Sequence, residues 1–341
     1  MDKNEIRIII NELLDETHGK LDGGRKNIIA DCPWCGKKGK FGIRIKADQG
    51  NRKQFSSHCF SCGRSTRTIE ELCDLLNRPD LKPHRNIRED IEMQDDSEAD
   101  ELEEELDDSL VEVQMPEGYK RTTKNRYLKS RGFINKDYTY FEVGTTRGLN
   151  FKFDAYIIIP IIEDGKYVGY VARHTWSKDE IDAYNQKQAL VGGYQIRRYS
   201  NSCGEGSNEF SKLLYNYDNV IEDVTDTVVL CEGVFDVIAL TRHFDLYNYH
   251  RIVPVATFGK KISEIQAYKL QAKGVRTIVI GYDNDAEESI NRTADFLLDY
   301  FDVYIATLEG EGKDYDEADF WDVFDAFSKG LKTPFEYKNI L

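Results

Sequence analysis

Val228-Val229-Leu230-Cys231-Glu232-Gly233-Val234-Phe235-Asp236 and, further on, Ile278-Val279-Ile280-Gly281-Tyr282-Asp283-Asn284-Asp285 decide how the C-terminal part of this chain reads. Each is a short apolar run that ends in carboxylates. Around them the apolar stretches Thr227–Cys231, Arg251–Ala256, Arg276–Gly281 and Val303–Leu308 alternate with helix-like stretches, Val234–Arg242, Ile262–Lys273 and Ser289–Phe301. Apolar strands alternating with helices imply right-handed crossovers and a mainly parallel sheet. Sites gather at the carboxyl ends of such strands, and here those ends carry acids.

Glu232 closes its strand, and Asp236 follows one helical turn later, facing the same crevice. Asp283 and Asp285, at i and i+2 as the chain leaves a strand, project to one side and can share a divalent cation. Gly312-Lys313-Asp314-Tyr315-Asp316 repeats the alternation after the next strand. Taken singly, Glu232, Asp236 or Asp285 reads as a helix cap or a solvated loop residue. Three clusters at neighbouring strand ends are electrostatically costly unless cations neutralise them. The pattern suits one or two Mg²⁺ or Mn²⁺ ions engaged in phosphoryl transfer.

Outward from there, the chain has 341 residues, 46 Lys+Arg against 61 Asp+Glu and a net charge of −15. That length suggests about two domains. From Glu89 to Glu112 lie 14 acids and no Lys, Arg or His, and without that stretch the chain is nearly balanced. Like-charge repulsion there predicts an extended, flexible tether, although Leu102, Leu106 and Leu110 recur at helical spacing. Lys20 to Thr68 carries 12 Lys+Arg and three acids, a basic module that suits phosphate contact or simply a solvated small domain.

Within that module Cys32-Pro33-Trp34-Cys35 is followed by Cys59-Phe60-Ser61-Cys62. Two Cys-x-x-Cys knuckles supply the four soft ligands of a closed tetrahedral site, so one structural Zn²⁺ is expected on Cys32, Cys35, Cys59 and Cys62. A redox pair or unrelated buried thiols are the competing readings. Lys40–Lys46 and Arg52–His58 alternate like hairpin strands between the knuckles, and a short amphipathic helix is expected over Thr68–Leu76. His58 reads as a surface histidine, and Cys73, Cys203 and Cys231 as small hydrophobes.

The remaining body opens with a helix at Thr123–Ser130, stopped by Gly132, and a hairpin of Ala155–Ile162 with Tyr167–Arg173. No apolar run approaches the ~20 residues of a membrane span, and the first residues lack a signal-peptide apolar region, so the expectation is a soluble, cytoplasmic chain. A G-x-x-x-x-G-K-[ST] loop is missing from the sequence, so no fused ATP-driven motor is expected.

The acidic pattern resembles the Toprim domain shared by bacterial and phage DNA primases, topoisomerases, some nucleases and recombination proteins, with Glu232, Asp236, Asp283 and Asp285 on its motif positions. Tyr127-Leu128-Lys129-Ser130-Arg131-Gly132 is similar to the segment that opens the primase polymerase core. Ile158-Ile159-Pro160-Ile161 through Arg173 resembles its hairpin. Arg198-Tyr199-Ser200-Asn201-Ser202 and Phe210-Ser211-Lys212 resemble further core segments, as does Thr257-Phe258-Gly259 with Gln266. Arg198 stands where the family has lysine, Tyr315 where it has proline, and the ribbon has four cysteines, as in phage primases.

The resemblance implies a multidomain α+β chain: a zinc-binding β ribbon (1–78), an acidic linker (79–114), a basic core subdomain (115–225), a Toprim parallel-sheet subdomain (226–320) and a tail (321–341). It implies a catalytic set of Glu232, Asp236, Asp283, Asp285 and Lys212, with Asp314 and Asp316 as further metal ligands. Arg131, Arg173, Arg198, Tyr199, Asn201 and Lys212 would hold template and nucleotide. The implied partners are single-stranded DNA, ribonucleoside triphosphates and a separate replicative helicase, in a bacterial or phage-infected cell. The aromatic residues of 318–341 either close the core or face that helicase. A Toprim nuclease or recombination protein, and a non-catalytic zinc-ribbon adaptor, are the alternatives.

Overall fold

The computed structural model describes residues 3–46, 54–78, 81–93, 102, 105–106, 109–204, 206–283, 286–308 and 314–340. They form two compact units, Met1–His84 and Arg85–Leu341.

The first unit is an antiparallel meander of β1 (Lys20–Leu21), β2 (Asn27–Ala30), β3 (Phe41–Arg44), β4 (Ser57–Cys59) and β5 (Ser65–Thr66), in that spatial order. Register pairs Phe41 with Cys59 and Ile43 with Ser57. One sheet face buries Ile28, Phe41 and Ile43 against Ile9 and Leu13 of helix α1 (Lys3–Glu16) and Leu72 of α2 (Ile69–Leu76). Helix α2 fits the expectation closely: Thr68 Oγ1 accepts from the Glu71 N–H, and Asn77 closes it in the left-handed region at φ 55°. Helix α1 lies outside what the sequence pattern suggested. His58 is exposed, its ring against Phe60.

The second unit is mixed α/β. From Arg85 the described residues of the presumed tether pack on it. Helix α3 (Ile87–Glu92) buries Ile87 and Ile91, and Gln271 bonds the Ile87 N–H and the Arg85 carbonyl. Helices α4 (Arg126–Ser130) and α5 (Asn135–Tyr140) precede an antiparallel sheet of β6 (Lys120–Arg121), β7 (Gly144–Thr145), β8 (Tyr156–Glu163) and β9 (Lys166–His174). The expected β8–β9 hairpin is its core, followed by α6 (Lys178–Val191).

The second sheet is fully parallel: β10 (Thr227–Cys231), β11 (Ile252–Ala256), β12 (Thr277–Ile280) and β13 (Asp302–Ile305), ordered β11-β10-β12-β13. These strands fall within a residue or three of the expected runs; β10, β11 and β12 are buried almost throughout and read as continuous apolar signals, whereas β13 alternates exposed and buried residues. Helices α7 (Val234–His243), α8 (Glu264–Ala272) and α9 (Glu287–Leu297) are the crossovers. The chain steps from β10 outward to β11, then returns to β12 on the other side of β10. That reversal opens a crevice at the carboxyl ends of β10 and β12. At the C-terminus α10 (Phe320–Ala326) buries Val323 and Ala326 in the core, and α11 (Pro334–Ile340) buries Tyr337, while Trp321 and Phe335 stay exposed.

Candidate functional site

Glu232 is the first residue after β10, and Asp283 follows β12 by three, so both stand at the lips of that crevice. They meet: the Asp283 backbone N–H donates to Glu232 Oε1 at 3.1 Å. Asp236 lies one turn into α7, 9% exposed, and its Oδ2 accepts from the Gly233 N–H at 3.2 Å. Burial, then the neighbouring Asp283 and Asp314 carboxylates, push the Asp236 carboxyl up to about 8, and Glu232 adds to the effect. Four acids from three strand ends therefore share one electrostatic environment. Asp285 lies outside the described residues.

The third cluster is held against the sheet by Tyr315. Its ring is buried, its hydroxyl donates to the Ala306 carbonyl at 3.1 Å, and Phe327 packs on it. A Cβ on Gly281 would come within 3.3 Å of the Leu230 carbonyl and 3.4 Å of the Tyr315 hydroxyl, so a side chain there would push these neighbours apart by a few tenths of an ångström. Flanking Tyr315, carboxylate oxygens of Asp314, Asp316 and Glu317 lie within 4.8 Å of one another. Glu317 was not singled out by the sequence pattern, which stopped at the alternating pair. Hard cations take several carboxylate oxygens at such spacings, so the acids present fit Mg²⁺ or Mn²⁺.

Three strand ends are stapled by side chains. Thr257, after β11, bonds the Cys231 carbonyl at 3.3 Å and the Tyr282 hydroxyl at 3.1 Å. Gln266 sends its amide to the carbonyls of Leu213 (2.6 Å) and Phe210 (3.2 Å). Tyr215 bridges Ala256 antiparallel, which sets the Phe210–Lys212 turn beyond the carboxyl end of β11. Lys212 there faces Glu105, Nζ to Oε1 3.4 Å.

The basic residues form a second constellation that touches the first. Arg131, on the turn after α4, pairs with Asp316 and lies over the Phe235 ring at 4.6 Å. Its Nη1 also reaches the Tyr127 hydroxyl, which accepts from Arg173 Nε at 3.2 Å. Arg173 in turn lies over the Tyr199 ring at 4.8 Å. Tyr127 thus links two arginines, a role its sequence motif did not announce. Arg173 Nη1, Arg131 Nε and Asn201 Oδ1 are buried without hydrogen-bond partners among the described residues. Buried polar atoms in that condition, two donors and an acceptor, are expensive unless something arrives to meet them. Arg198 is exposed and contributes its carbonyl to the His174 N–H.

In the first unit the four cysteine sulfurs lie within 4.8 Å of one another, with Cys32–Cys62 and Cys35–Cys59 at 3.9 Å. Tetrahedral Zn–S bonds of about 2.3 Å put sulfurs about 3.8 Å apart, so the cluster fits zinc. Gly36 and Gly63 turn at φ +66° and +72°. Burial raises the Cys59 thiol, but the Cys62 and Ser61 backbone N–H groups and the neighbouring Cys32 and Cys62 thiols together bring it down to about 6, while Cys35, despite the Lys37 N–H, is pushed up to about 11 by burial and its three neighbouring thiols.

The parallel-sheet part of the second unit is Toprim-like. Residues 229–319 match the family model described as Toprim-like. A solved chain described as the structure of the DnaG catalytic core is similar with a TM-score of 0.45 and 17% identity, over 62% of this chain and 73% of that one. No curated protein matches the sequence significantly. Among the described residues no helix is long and apolar enough to cross a membrane.

Proposed function

We propose that the chain is a DNA primase of the stand-alone phage layout, a DNA-directed RNA polymerase that makes short RNA primers on single-stranded DNA. The observation that carries this reading is the Arg131–Asp316 pair, which makes the acidic crevice and the arginine–tyrosine constellation one continuous site. A nuclease needs the acids alone. A templated polymerase also needs fixed cations opposite them, because template and triphosphate bring many negative charges.

Glu232, Asp236 and Asp283, with Asp285, Asp314 and Asp316, would hold one or two Mg²⁺ or Mn²⁺ ions. When bound, these supply a lowered pKa for the attacking hydroxyl and charge neutralisation for departing pyrophosphate. Arg173, its free Nη1 already desolvated, is suited to a phosphate oxygen, and Tyr199 to a base face. Arg198, Asn201 and Lys212 would act with them on template and nucleotide. Cys32, Cys35, Cys59 and Cys62 would fix the ribbon that reads a short template trigger, and a separate replicative helicase would deliver the template in the cytoplasm of the host cell.

Ribonucleotide incorporation on single-stranded DNA tests the proposal. Primers are expected from the unaltered chain and none from Asp283→Ala plus Asp285→Ala. Full activity in that variant would reject the site, and metal-dependent DNA cleavage without primers would favour a Toprim nuclease.

A further inference from the structure

The acidic stretch was expected to stand away from the body, yet its described residues lie on it. Leu102 and Leu106 pack against the core cluster that contains Leu214 and Tyr217, and Leu110 against the one that contains Leu213 and Tyr215. The backbone then runs beside β9. Asn208 brackets Val111, accepting from its N–H at 2.8 Å and donating to its carbonyl at 2.7 Å, and the Val113 N–H donates to the Tyr167 carbonyl at 2.7 Å. Between these anchors Glu105 faces Lys212. A leucine every fourth residue turns the segment's apolar side to the body and presents a carboxylate to a cation assigned above to template and nucleotide.

We propose that Leu102, Glu105, Leu106 and residues 109–113 are an intramolecular competitor for the surface around Lys212, and that single-stranded nucleic acid displaces them. The inference rests on the primase reading only for Lys212's place in the polyanion-binding face. Each anchor is individually weak: the leucines are half-buried and the ion pair is partly exposed. A docked carboxylate occupies the position that a backbone phosphate would take. A phosphate chain contacts many cations at once, so it can outcompete a segment held by so few bonds. Fourteen acids in Glu89–Glu112 also raise the cost of nucleic acid approaching while the segment is docked.

Two readouts on the full, zinc-loaded chain decide it. In fluorescence anisotropy with a labelled oligo-dT, Glu105→Gln and the pair Leu102→Ser plus Leu106→Ser are each expected to bind about threefold to tenfold tighter than the unaltered chain. By hydrogen exchange, the Val111 and Val113 amides are expected to lose protection when saturating oligo-dT is added. Equal or weaker binding in both variants, with unchanged protection, would overturn the proposal while leaving primer synthesis standing. If no variant binds oligo-dT at all, the primase reading falls and this proposal with it.

Discussion

Asp316 is the carboxylate on which the two halves of the site meet, and its side chain is 4% exposed against 19% for Arg131. Removing one member of a buried pair strands the other, so Arg131→Ala should destabilise the second unit by about 3 kcal/mol in urea. Adding Asp316→Asn should recover most of that loss; two additive losses would contradict the pairing. His174 offers a pH test at the same scale. Its Nδ1 accepts from the Trp176 N–H at 3.1 Å, so the neutral ring is the one that fits. Burial, then the Arg173 charge, holds its pKa below 6.5. The unfolded chain therefore takes up this proton first, and stability falls as pH drops from 6.5 through the lower folded value. His174→Gln, which keeps an acceptor, should flatten that loss in thermal melts between pH 7 and 5. Arg131, Arg173 and Tyr199 were legible because each sits in a recognisable segment. Tyr127's double duty was not, since one partner of its hydroxyl, Arg173, lies 46 residues away on β9.

Elements were legible where burial made the pattern continuous. β10, β11 and β12 show as apolar runs because both their faces are covered, and α7 to α9 fill the intervals between the strands. Helix α6 escaped notice for the opposite reason. Its Ser177–Glu180 capping box and Gly192 stop are present, but only Ile181 is buried, so no apolar stripe marks it. Helix α1 has such a stripe, in Ile9 and Leu13, yet it precedes the cysteine motifs that drew the reading. The parallel sheet predicts its own weak point at Thr257, whose hydroxyl ties β10 to Tyr282, the second residue after β12. Thr257→Val should cost about 1–3 kcal/mol in urea unfolding and weaken divalent binding, because Tyr282 loses its partner and the strand ends loosen. Unchanged stability and unchanged metal affinity would mean the staple is decorative.

At the scale of the molecule, the separation into a small cysteine-bearing unit and a larger mixed body could be read from charge and composition. The strand order β11-β10-β12-β13 could not, because sequence order does not say on which side of β10 the chain returns. Nor could the docking of the acidic segment, where repulsion between carboxylates argued for extension and the leucine stripe prevailed. In the small unit four thiols converge at zinc-ligand spacing, so its stability should depend on metal. A thiophilic chelator should abolish its thermal transition and leave that of the second unit within a few degrees; one joint transition lost together would contradict this. The central claim is that carboxylates from separate strand ends converge on a shared cation. Calorimetric titration of Mn²⁺ into the zinc-loaded chain tests it most directly. The account predicts saturable binding that weakens at least about tenfold in both Glu232→Gln and Asp283→Asn. Binding that is indifferent to either substitution would contradict it.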